Sequence, residues 1–264
     1  MKKLIKNIYL KITGNYILKD KIGNIEIYKK IYKDAIKANQ DGNLNFLFSN
    51  NSFDNNFINE LAYLTQVTIK KSRIDFNHGK LIYIVLKTYI NSLNSFDNIN
   101  LIDVGTARGF SSIIMSKVLK DLNLDAKIYT FDVIPHDKKI FWNCYADHIY
   151  GKQTRQNLLK EYRNYLNNIT FSTGESHKQI KKLNLTRINF AFIDGSHEYE
   201  DVKKDFIQIS EKQLKGDVIL FDDYTSSYFN GVVKLVDQIE KDRLYSLERF
   251  KSSDQRGYAL AHKI

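Results

Sequence analysis

Acidic residues stand at two points of the sequence where short apolar runs end. Asp194 closes one run, and the adjacent pair Asp222 and Asp223 follows the next one. Three carboxylates that converge on one point repel each other strongly, so a divalent cation or a shared proton must hold them together. Because all-oxygen ligation suits Mg²⁺, Mn²⁺ or Ca²⁺, the pattern predicts a metal site of Asp194, Asp222 and Asp223. The alternative for each residue is a helix cap or a turn position after a strand.

His197 follows Asp194 by three residues, where a helix is expected to begin. An imidazole with an ordinary pKa of about 6.5 can accept a proton at neutral pH. An isolated histidine is more often structural, but the expected metal site nearby favours a general base at this position. Catalytic roles are therefore predicted for His197 and Asp194. The other histidines have no comparable setting and receive no role: His78, His136, His148, His177 and His262.

A glycine-bearing turn, from Asp103 to Gly109, closes an earlier apolar run. Gly105 and Gly109 make room for a ligand against the backbone, and the helix that follows offers free amides and the positive end of its dipole. A dinucleotide fingerprint would place its first glycine directly after the strand, whereas here Asp103 precedes Gly105 by two positions. The turn predicts contacts with a nucleoside cofactor from Asp103, Gly105, Thr106 and Gly109.

Two later positions complete the predicted nucleoside site. Asp132 ends the second apolar run, where a carboxylate can accept hydrogen bonds from both hydroxyls of a ribose. For this residue the alternative is a helix cap or an acid in a solvated loop. Glu175 and Ser176 follow the third run and could reach an adenine amine, although both are also ordinary capping residues.

The spacing of apolar residues predicts the elements that position these groups. Short apolar runs alternate with helical stretches from about residue 98 onward, which is typical of βαβ units in a doubly wound, Rossmann-like α/β fold. Ligands of such a sheet bind beyond the carboxyl ends of the strands, where every residue above lies. Strands are predicted over 99–104, 127–132, 169–172, 188–194 and 217–221, helices over 111–122, 176–183, 200–214 and 231–242, and a closing antiparallel hairpin over 245–250 and 257–262.

Two regions fall outside this alternation. Residues 1–95 show helical spacing over 27–38, 56–68 and 78–92, with a turn over 39–43, and predict a helical N-terminal region that caps the site or forms a dimer surface. A catalytic domain is predicted over 96–264. Within it, residues 133–168 are long for a simple crossover and rich in basic and aromatic residues. They predict a partly helical lid whose charges meet a phosphate or nucleotide on the substrate, the alternative being a solvated basic helix.

Composition bounds the class of protein and its partners. The 264 residues are 43% hydrophobic and 27% charged, which excludes disordered and fibrous proteins. A net charge of +10 attracts anions, but lysine is spread along the chain without a block of like charges or a zinc-finger spacing, so a small anionic substrate fits better than nucleic acid. A single cysteine, Cys144, indicates a reducing compartment. No signal peptide or run of about 20 apolar residues is visible, which predicts a cytoplasmic protein without a membrane span.

The nucleoside-binding residues resemble the S-adenosylmethionine site of class I methyltransferases. The resemblance rests on Asp103-x-Gly105-x-x-x-Gly109, on Asp132 and on Gly174-Glu175-Ser176, and it covers about residues 95–262. It implies a seven-stranded sheet with an antiparallel C-terminal strand. It also implies that the glycine turn lies under the methionine part of the cofactor, that Asp132 holds the ribose, and that Glu175 and Ser176 flank the adenine. Ala107 stands where the family often has a third glycine.

The acidic residues further resemble those of the metal-dependent sugar O-methyltransferases of antibiotic biosynthesis. Asp194-Gly-x-His197 and the pair Asp222-Asp223 carry this resemblance. It implies that the three acids bind Mg²⁺ or Mn²⁺, that His197 is the base, and that Asp194 also lies at the cofactor. The acceptor would be a sugar hydroxyl, possibly on a nucleotide-linked substrate. Two alternatives remain: an acceptor that is another phosphorylated metabolite or a catechol, and a non-catalytic module that binds the cofactor.

Overall fold

The computed structural model of the chain describes residues 18–40, 44–49, 51–253 and 255–264, and within these ranges seven strands form one mixed sheet. The strands are β1 (Asn100–Val104), β2 (Lys127–Asp132), β3 (Ile169–Thr173), β4 (Phe190–Ile193), β5 (Val218–Phe221), β6 (Tyr245–Ser253) and β7 (Arg256–Lys263). Their order across the sheet is β3-β2-β1-β4-β5-β7-β6. The first five are parallel, whereas β7 runs antiparallel to both of its neighbours. The predicted fold class is confirmed.

The strand order reverses between β1 and β4, which pair side by side although β2 and β3 lie between them in sequence. Crossover helices leave β1 and β4 towards opposite faces at such a point, and a crevice opens beyond the strand ends. Strands β1, β4 and β5 are buried along their whole length, which explains why β4 and β5 are continuous apolar runs and why β1 is interrupted only by Asn100 and Asp103. The order of the strands therefore brings the glycine turn after β1 next to the acids after β4 and β5.

Helices cover both faces of the sheet. Those of the N-terminal part are α1 (Ile25–Gln40), α2 (Asn45–Ser49), α3 (Asn55–Thr65) and α4 (Asn77–Asn91). Those between and after the strands are α5 (Phe110–Asp121), α6 (Ala146–Tyr150), α7 (Arg155–Leu158), a 3₁₀ helix (Lys160–Tyr165), α8 (Ser176–Lys182), α9 (Tyr199–Ser210) and α10 (Asn230–Lys241). None of the helices in the described ranges is both long and apolar enough to cross a membrane.

The N-terminal helices share a core with the sheet. Leu81 and Leu86 of α4 are fully buried in the cluster that also contains Leu101 of β1 and Ile113 of α5. At Gly79 a Cβ atom would lie 2.5 Å from the ring of Phe110, so only glycine permits this approach of α4 to the start of α5. The proposed role of residues 1–95 as a cap or dimer surface stays a prediction. The predicted turn at 39–43 falls mostly outside the described residues, as does the start of the chain.

The segment 133–168 is also anchored in the core. Trp142, Cys144 and Leu159 are completely buried there. Burial raises the pKa of the Cys144 thiol to about 11, so this residue behaves as a small apolar group. The function of the segment as a lid stays a prediction. Its helices are short and interrupted, and Ile140 and Leu158 also pack into the core cluster, whereas Val133, Ile149 and Tyr150 are about half exposed.

Candidate active site

The turn after β1 has two glycines in backbone conformations that other residues rarely adopt. Gly105 has a φ of +95° and Gly109 a φ of +93°. A Cβ on Gly105 would lie 2.0 Å from the carbonyl oxygen of Asp194, so this glycine is the point where the turn packs directly on the end of β4. Ala107, the departure from the family pattern, has a φ of +45° in the same turn. The cofactor turn and the catalytic strand end are therefore neighbours, as the sequence predicts.

The carboxylate of Asp103, at the end of β1, is hydrogen-bonded to α5 and β2. Its carboxylate is completely buried and accepts hydrogen bonds from Ser111 Oγ at 2.8 Å, from Ser112 Oγ and from Thr130 Oγ1 at 2.9 Å. Burial raises its pKa, while these hydroxyl donors oppose the rise. The side chain of Thr106 points the same way, with its hydroxyl 2.6 Å from that of Thr130. Both side chains tie β1 to β2 and α5, and their predicted contact with the cofactor stays a prediction.

Asp132 at the end of β2 is bound to the same turn. Its Oδ2 accepts a hydrogen bond from the amide of Ala107 at 2.6 Å, and Oδ1 accepts one from the amide of Ile134 at 2.9 Å. Arg155, which is almost completely buried, lies 3.6 Å from Oδ2 and donates from Nε to the carbonyl of Ala107. Arg155 therefore turns inward from the segment 133–168 to hold the carboxylate and the turn together. The role of Asp132 as the ribose ligand stays a prediction.

Glu175 and Ser176 stand at the start of α8, beyond β3. Glu175 is about half exposed and pairs with Lys178 at 2.7 Å, a contact that lowers its pKa. The hydroxyl of Ser176 donates to Asp205 of α9. Burial raises the pKa of Asp205 to about 6. Both predicted adenine contacts are thus occupied by protein partners, and their role stays a prediction.

The predicted catalytic residues come together at the ends of β4 and β5. Asp194, His197 and Asp223 each offer a ligand-type atom, and these atoms all lie within 4.8 Å of one another. Burial, together with the charges of Asp222 and Asp223, raises the pKa of Asp194 well above its usual value. The structure thus brings three of the four residues into one cluster, and their roles stay predictions. Asp222 is the fourth residue, and its carboxylate binds Arg256.

His197 is held by an acid and by an aromatic ring. Its Nε2 lies 2.7 Å from Oδ2 of Asp223. The ring of Phe229 packs against the imidazole with 4.4 Å between centroids. Gly231 at the start of α10 allows this arrangement, because a Cβ there would lie 2.3 Å from the carbonyl oxygen of His197. The His197 side chain is 39% exposed, so it is fixed in place yet open to a ligand.

Arg256, the first residue of β7, contacts both members of the acid pair. Its Nη2 binds Asp222, and its Nη1 lies 2.8 Å from Oδ1 of Asp223. Burial raises the pKa of Asp222, and Arg256 opposes that rise. For Asp223 burial also acts upward, but His197 and Arg256 hold its pKa below the usual value. Asp223 has a φ of +57°, an unusual conformation for a residue other than glycine, and the one that turns its carboxylate towards His197.

Sequence reasoning missed several residues around this cluster. Arg256 has no motif of its own, and only the need of three acids for a cation could have pointed to it. His78 is buried between Phe110 and Phe192, and its burial lowers its pKa well below the usual value. Lys70 remains open to solvent, although partial desolvation and the charges of Arg256 and Arg108 lower its pKa. Both residues belong to the N-terminal region, where no chemistry was expected, and both feel the charges of Arg256 and Asp223.

Comparison with protein families places a known domain over this site. Residues 102–224 match the family model described as a methyltransferase domain. The match begins within β1 and ends just after Asp223, so it contains the glycine turn, Asp132, Asp194, His197 and the acid pair. No curated protein matches the chain.

Solved structures share the fold over most of the chain. TomG, an O-methyltransferase from Streptomyces achromogenes involved in tomaymycin synthesis and solved with SAM, is 12% identical, with a TM-score of 0.56 over 83% of this chain and 94% of its own. An O-methyltransferase from Bacillus cereus solved with SAH is 13% identical, with a TM-score of 0.53 over 98% and 97%. The O-methyltransferase NovP is 12% identical, with a TM-score of 0.55 over 90% and 97%.

At these identities the structures show the shared fold, and the family match names the domain. The sheet topology is part of the shared fold, and the family match spans the glycine turn and the acids at the strand ends. Residues 102–224 therefore match a methyltransferase domain, and the fold that the resemblance to methyltransferases implies is confirmed.

Proposed function

We propose that the chain transfers the methyl group of S-adenosylmethionine to a hydroxyl oxygen of a small molecule, with His197 as the general base. The observation that carries the proposal is the position of the imidazole. It lies 2.7 Å from Asp223 and close to Asp194, whose backbone packs on the glycine turn. The end of β4 thus lies between the base and the glycine turn that would hold the cofactor. A base in this position can remove the proton of an acceptor hydroxyl while the methyl group is transferred.

The glycine turn and Asp132 would bind the cofactor. When bound, S-adenosylmethionine supplies an electrophilic methyl group, and the protein supplies position and electrostatics. Gly105 and Gly109 hold the backbone in an open path, and α5 directs its amino end towards the turn. Val133, which directly follows Asp132, is 52% exposed and offers an apolar surface for the adenine. TomG and the Bacillus cereus protein were solved with SAM and SAH, which supports the same cofactor here.

His197 would remove the acceptor proton as the methyl group is attacked. Asp223 lies beside Nε2, so its charge stabilises the imidazolium that forms when the ring takes up a proton. Because Nε2 faces Asp223, the other ring nitrogen, Nδ1, is the one left for the acceptor hydroxyl. General base catalysis of this kind contributes about 100-fold to 10,000-fold to a rate.

The three acids fit a divalent metal poorly as a set. Asp222 and Asp223 already share the guanidinium of Arg256, and His197 occupies the other side of Asp223. A metal held by Asp194, Asp222 and Asp223 would have to displace Arg256 from two of its three ligands. The proposed mechanism therefore uses only the side chains of the chain and the cofactor.

A sugar hydroxyl remains our proposal for the acceptor, on an anionic or nucleotide-linked substrate. Lys70 supports an anionic group near the cluster, because its charge is open to solvent and close to Arg256. Further basic residues of the segment 133–168 are exposed and suit a phosphate: Lys138, Lys139, Lys152, Lys160 and Arg163. Arg155 does not belong to this set, since it is buried against Asp132.

Other acceptors and a non-catalytic role remain as alternatives. A phosphorylated metabolite or a catechol would use the same base, and Lys70 would equally suit the former. A module that binds the cofactor without turnover would need neither His197 nor its contact with Asp223. The close approach of these two side chains favours an enzyme.

The experiment that tests the proposal is a screen of cofactor consumption by the purified chain. Nucleotide-linked sugars, free sugars, phosphorylated metabolites and catechols would each be supplied with S-adenosylmethionine, and formation of S-adenosylhomocysteine would be measured against reactions without acceptor. We expect turnover that depends on an acceptor hydroxyl and is absent with the matching deoxy compound. Calorimetric binding of the cofactor without turnover on any class would favour the non-catalytic alternative.

A further inference from the structure

The guanidinium of Arg256 lies where the paired acids need a positive charge. Nη2 binds Asp222 and Nη1 lies 2.8 Å from Asp223, so the two donors of one planar fork reach two different carboxylates. The carboxylate of Asp222 is completely buried and that of Asp223 nearly so. Buried acids of this kind require a cation or a proton, and a bidentate guanidinium is a strong partner for carboxylate oxygens.

The backbone fixes Arg256 in this position. At the neighbouring Gly257 a Cβ would lie 2.3 Å from the carbonyl oxygen of Tyr224, so the start of β7 packs tightly on the loop after β5. The amide of Tyr224 donates a hydrogen bond to the carbonyl of Gly257 at 2.9 Å. Arg256 also lies over the ring of Tyr258, with 6.0 Å between the guanidinium carbon and the ring centroid. The cation is therefore part of the sheet and not a flexible surface charge.

A divalent metal and this guanidinium would compete for the same oxygens. A metal bound to Asp222 and Asp223 would stand beside a fixed positive charge, and the two would repel each other at contact distance. Asp194, His197 and Asp223 offer three ligand-type atoms within 4.8 Å of one another, but Asp223 already pairs with Arg256 through Oδ1 and with His197 through Oδ2. The observed contacts favour one resident cation, and the chain itself supplies it.

We propose that Arg256 takes the place of the divalent cation that the acid pair would otherwise need, so that the carboxylate cluster is complete without metal. Arg256 is a positioning residue in this arrangement. It fixes Asp223, and Asp223 holds His197. The consequence for catalysis rests on the proposed function, whereas the compensation of charge in the cluster does not.

Binding of Mn²⁺ to the purified chain tests the proposal directly. Free Mn²⁺ would be titrated by electron paramagnetic resonance with the unchanged protein and with Asp223→Asn. We expect identical titrations up to about 1 mM, the range in which even weak protein sites for divalent cations fill. Saturable binding by the unchanged protein that Asp223→Asn removes would overturn the proposal.

Arg256→Met sharpens the test, because it removes the charge and keeps a side chain of similar length. We expect this variant to melt at a lower temperature than the unchanged protein, to bind Mn²⁺, and to regain thermal stability when Mn²⁺ is added. Adding Asp223→Asn to Arg256→Met should abolish the new binding. A variant that folds, binds no Mn²⁺ and is not stabilised by it would contradict the proposal.

Arg249→Met is the matched control. Arg249 lies on the neighbouring strand β6 and also pairs with two acids, Glu240 at 2.6 Å and Asp237 at 3.3 Å, but at the surface. Its loss should create no site for Mn²⁺, because surface carboxylates remain hydrated. If Arg256→Met fails to fold, comparison of the Mn²⁺ titrations of the unchanged protein and of Asp223→Asn still tests the proposal.

The two proposals fail in different ways. Turnover in the acceptor screen that a chelator stops and Mn²⁺ restores would leave the proposed function in place and overturn the role of Arg256. Absence of turnover with every acceptor, combined with identical Mn²⁺ titrations, would reject the proposed function and leave Arg256 as the resident cation.

Discussion

The two halves of the site use the same residue type in opposite ways. In the cofactor half, Asp103 is surrounded by three hydroxyl groups, and Asp132 by two backbone amides and Arg155. In the catalytic half, Asp194 faces other acids, and burial together with the charges of those acids raises its pKa well above the usual value. A carboxylate whose oxygens all accept hydrogen bonds fixes the backbone around it. Carboxylates that lie close together have shifted pKa values and can bind or release a proton.

This difference separates the residues that build the site from those that react in it. Substitutions in the cofactor half should change stability and cofactor affinity, because its side chains bind the turn. Substitutions in the catalytic half should change the rate, because His197 is partly exposed and packs on a small number of atoms.

Replacement of His197 by Ala should have the largest effect. We expect the turnover rate to fall by about 100-fold to 10,000-fold because the general base is lost. The dissociation constant of S-adenosylmethionine, measured by calorimetry, should stay within about twofold, since the turn is untouched. The comparison requires an acceptor identified in the screen.

His262→Ala is the control for this substitution. The His262 side chain is also 39% exposed and lies 3.3 Å from an acid, Glu248, but it belongs to the hairpin away from the glycine turn. Its turnover should equal that of the unchanged protein. Equal losses in the two variants would show that His197 acts through folding and not as a base.

Replacement of Arg155 by Met should mainly affect stability and cofactor binding. Removing one partner of a buried ion pair costs about 3–5 kcal/mol, because Asp132 is left without a counter-charge. We expect a corresponding fall in the free energy of unfolding by urea and weaker binding of S-adenosylmethionine, since the guanidinium also holds the carbonyl of Ala107.

Two further variants separate charge from packing at Arg155. Adding Asp132→Asn to Arg155→Met should recover part of the lost stability, because no unpaired charge remains. Arg163→Met, an exposed arginine of the same segment, should change stability by no more than about 0.5 kcal/mol. If Arg155→Met lowers the free energy of unfolding by no more than Arg163→Met does, the buried ion pair of Arg155 and Asp132 does not stabilise the cofactor half.

The sequence predicts elements better than it predicts which way side chains face. Strand β2 was predicted with its observed bounds, since its apolar run is closed by Asp132. The run predicted over 188–194 is regular only over Phe190–Ile193, although its end still delivers Asp194 to the site. Burial on both faces makes β4 a continuous apolar run, and such a run can be recognised from the sequence without knowledge of the fold.

Side-chain direction depends on partners that are remote in sequence. The sequence did not predict that the carboxylate of Asp103 accepts hydrogen bonds from Ser111, Ser112 and Thr130 in the core, and its contact with the cofactor stays a prediction. Asp222 was expected at a metal, but Arg256 reaches it from a strand that begins 34 residues later. Three acids predict a cation, and their spacing cannot reveal whether the cation is an ion or an arginine of the same chain.

Asp205 lies in the cofactor half but has a raised pKa like Asp194 and Asp222 of the catalytic half, and its replacement by Asn tests this exception. Asp205 supports the cofactor half through Ser176, yet burial raises its pKa from 3.8 to about 6. The folded state therefore holds its proton more tightly than the unfolded chain. The stability contributed by that proton is complete below about pH 3.8 and is lost as the pH rises through about 6.

We expect Asp205→Asn to raise the free energy of unfolding above pH 7 by up to about 3 kcal/mol, the value that corresponds to a pKa difference between 3.8 and about 6. The gain should shrink between pH 6 and pH 4, and urea unfolding at several pH values measures it. Asp201→Asn is a half-exposed control on the same helix and should show no such trend. A gain that is independent of pH would mean that the charge of Asp205 is not what destabilises the fold.

Replacement of Ala107 by Gly should have the smallest effect and an opposite sign to most substitutions. The φ of +45° costs an alanine about 1–2 kcal/mol, and glycine adopts it freely but gives more freedom to the unfolded chain. We expect a net gain in stability of about 0.5–1 kcal/mol from urea unfolding, with cofactor affinity unchanged. Asp132 and Arg155 still hold the amide and carbonyl of residue 107, so the path of the turn is kept.

Gly109→Ala should destabilise instead, because its φ is +93° and a Cβ there would lie 2.7 Å from Leu159. A loss of stability in Ala107→Gly would show that the turn depends on the alanine side chain and not on the pairs that clamp its backbone.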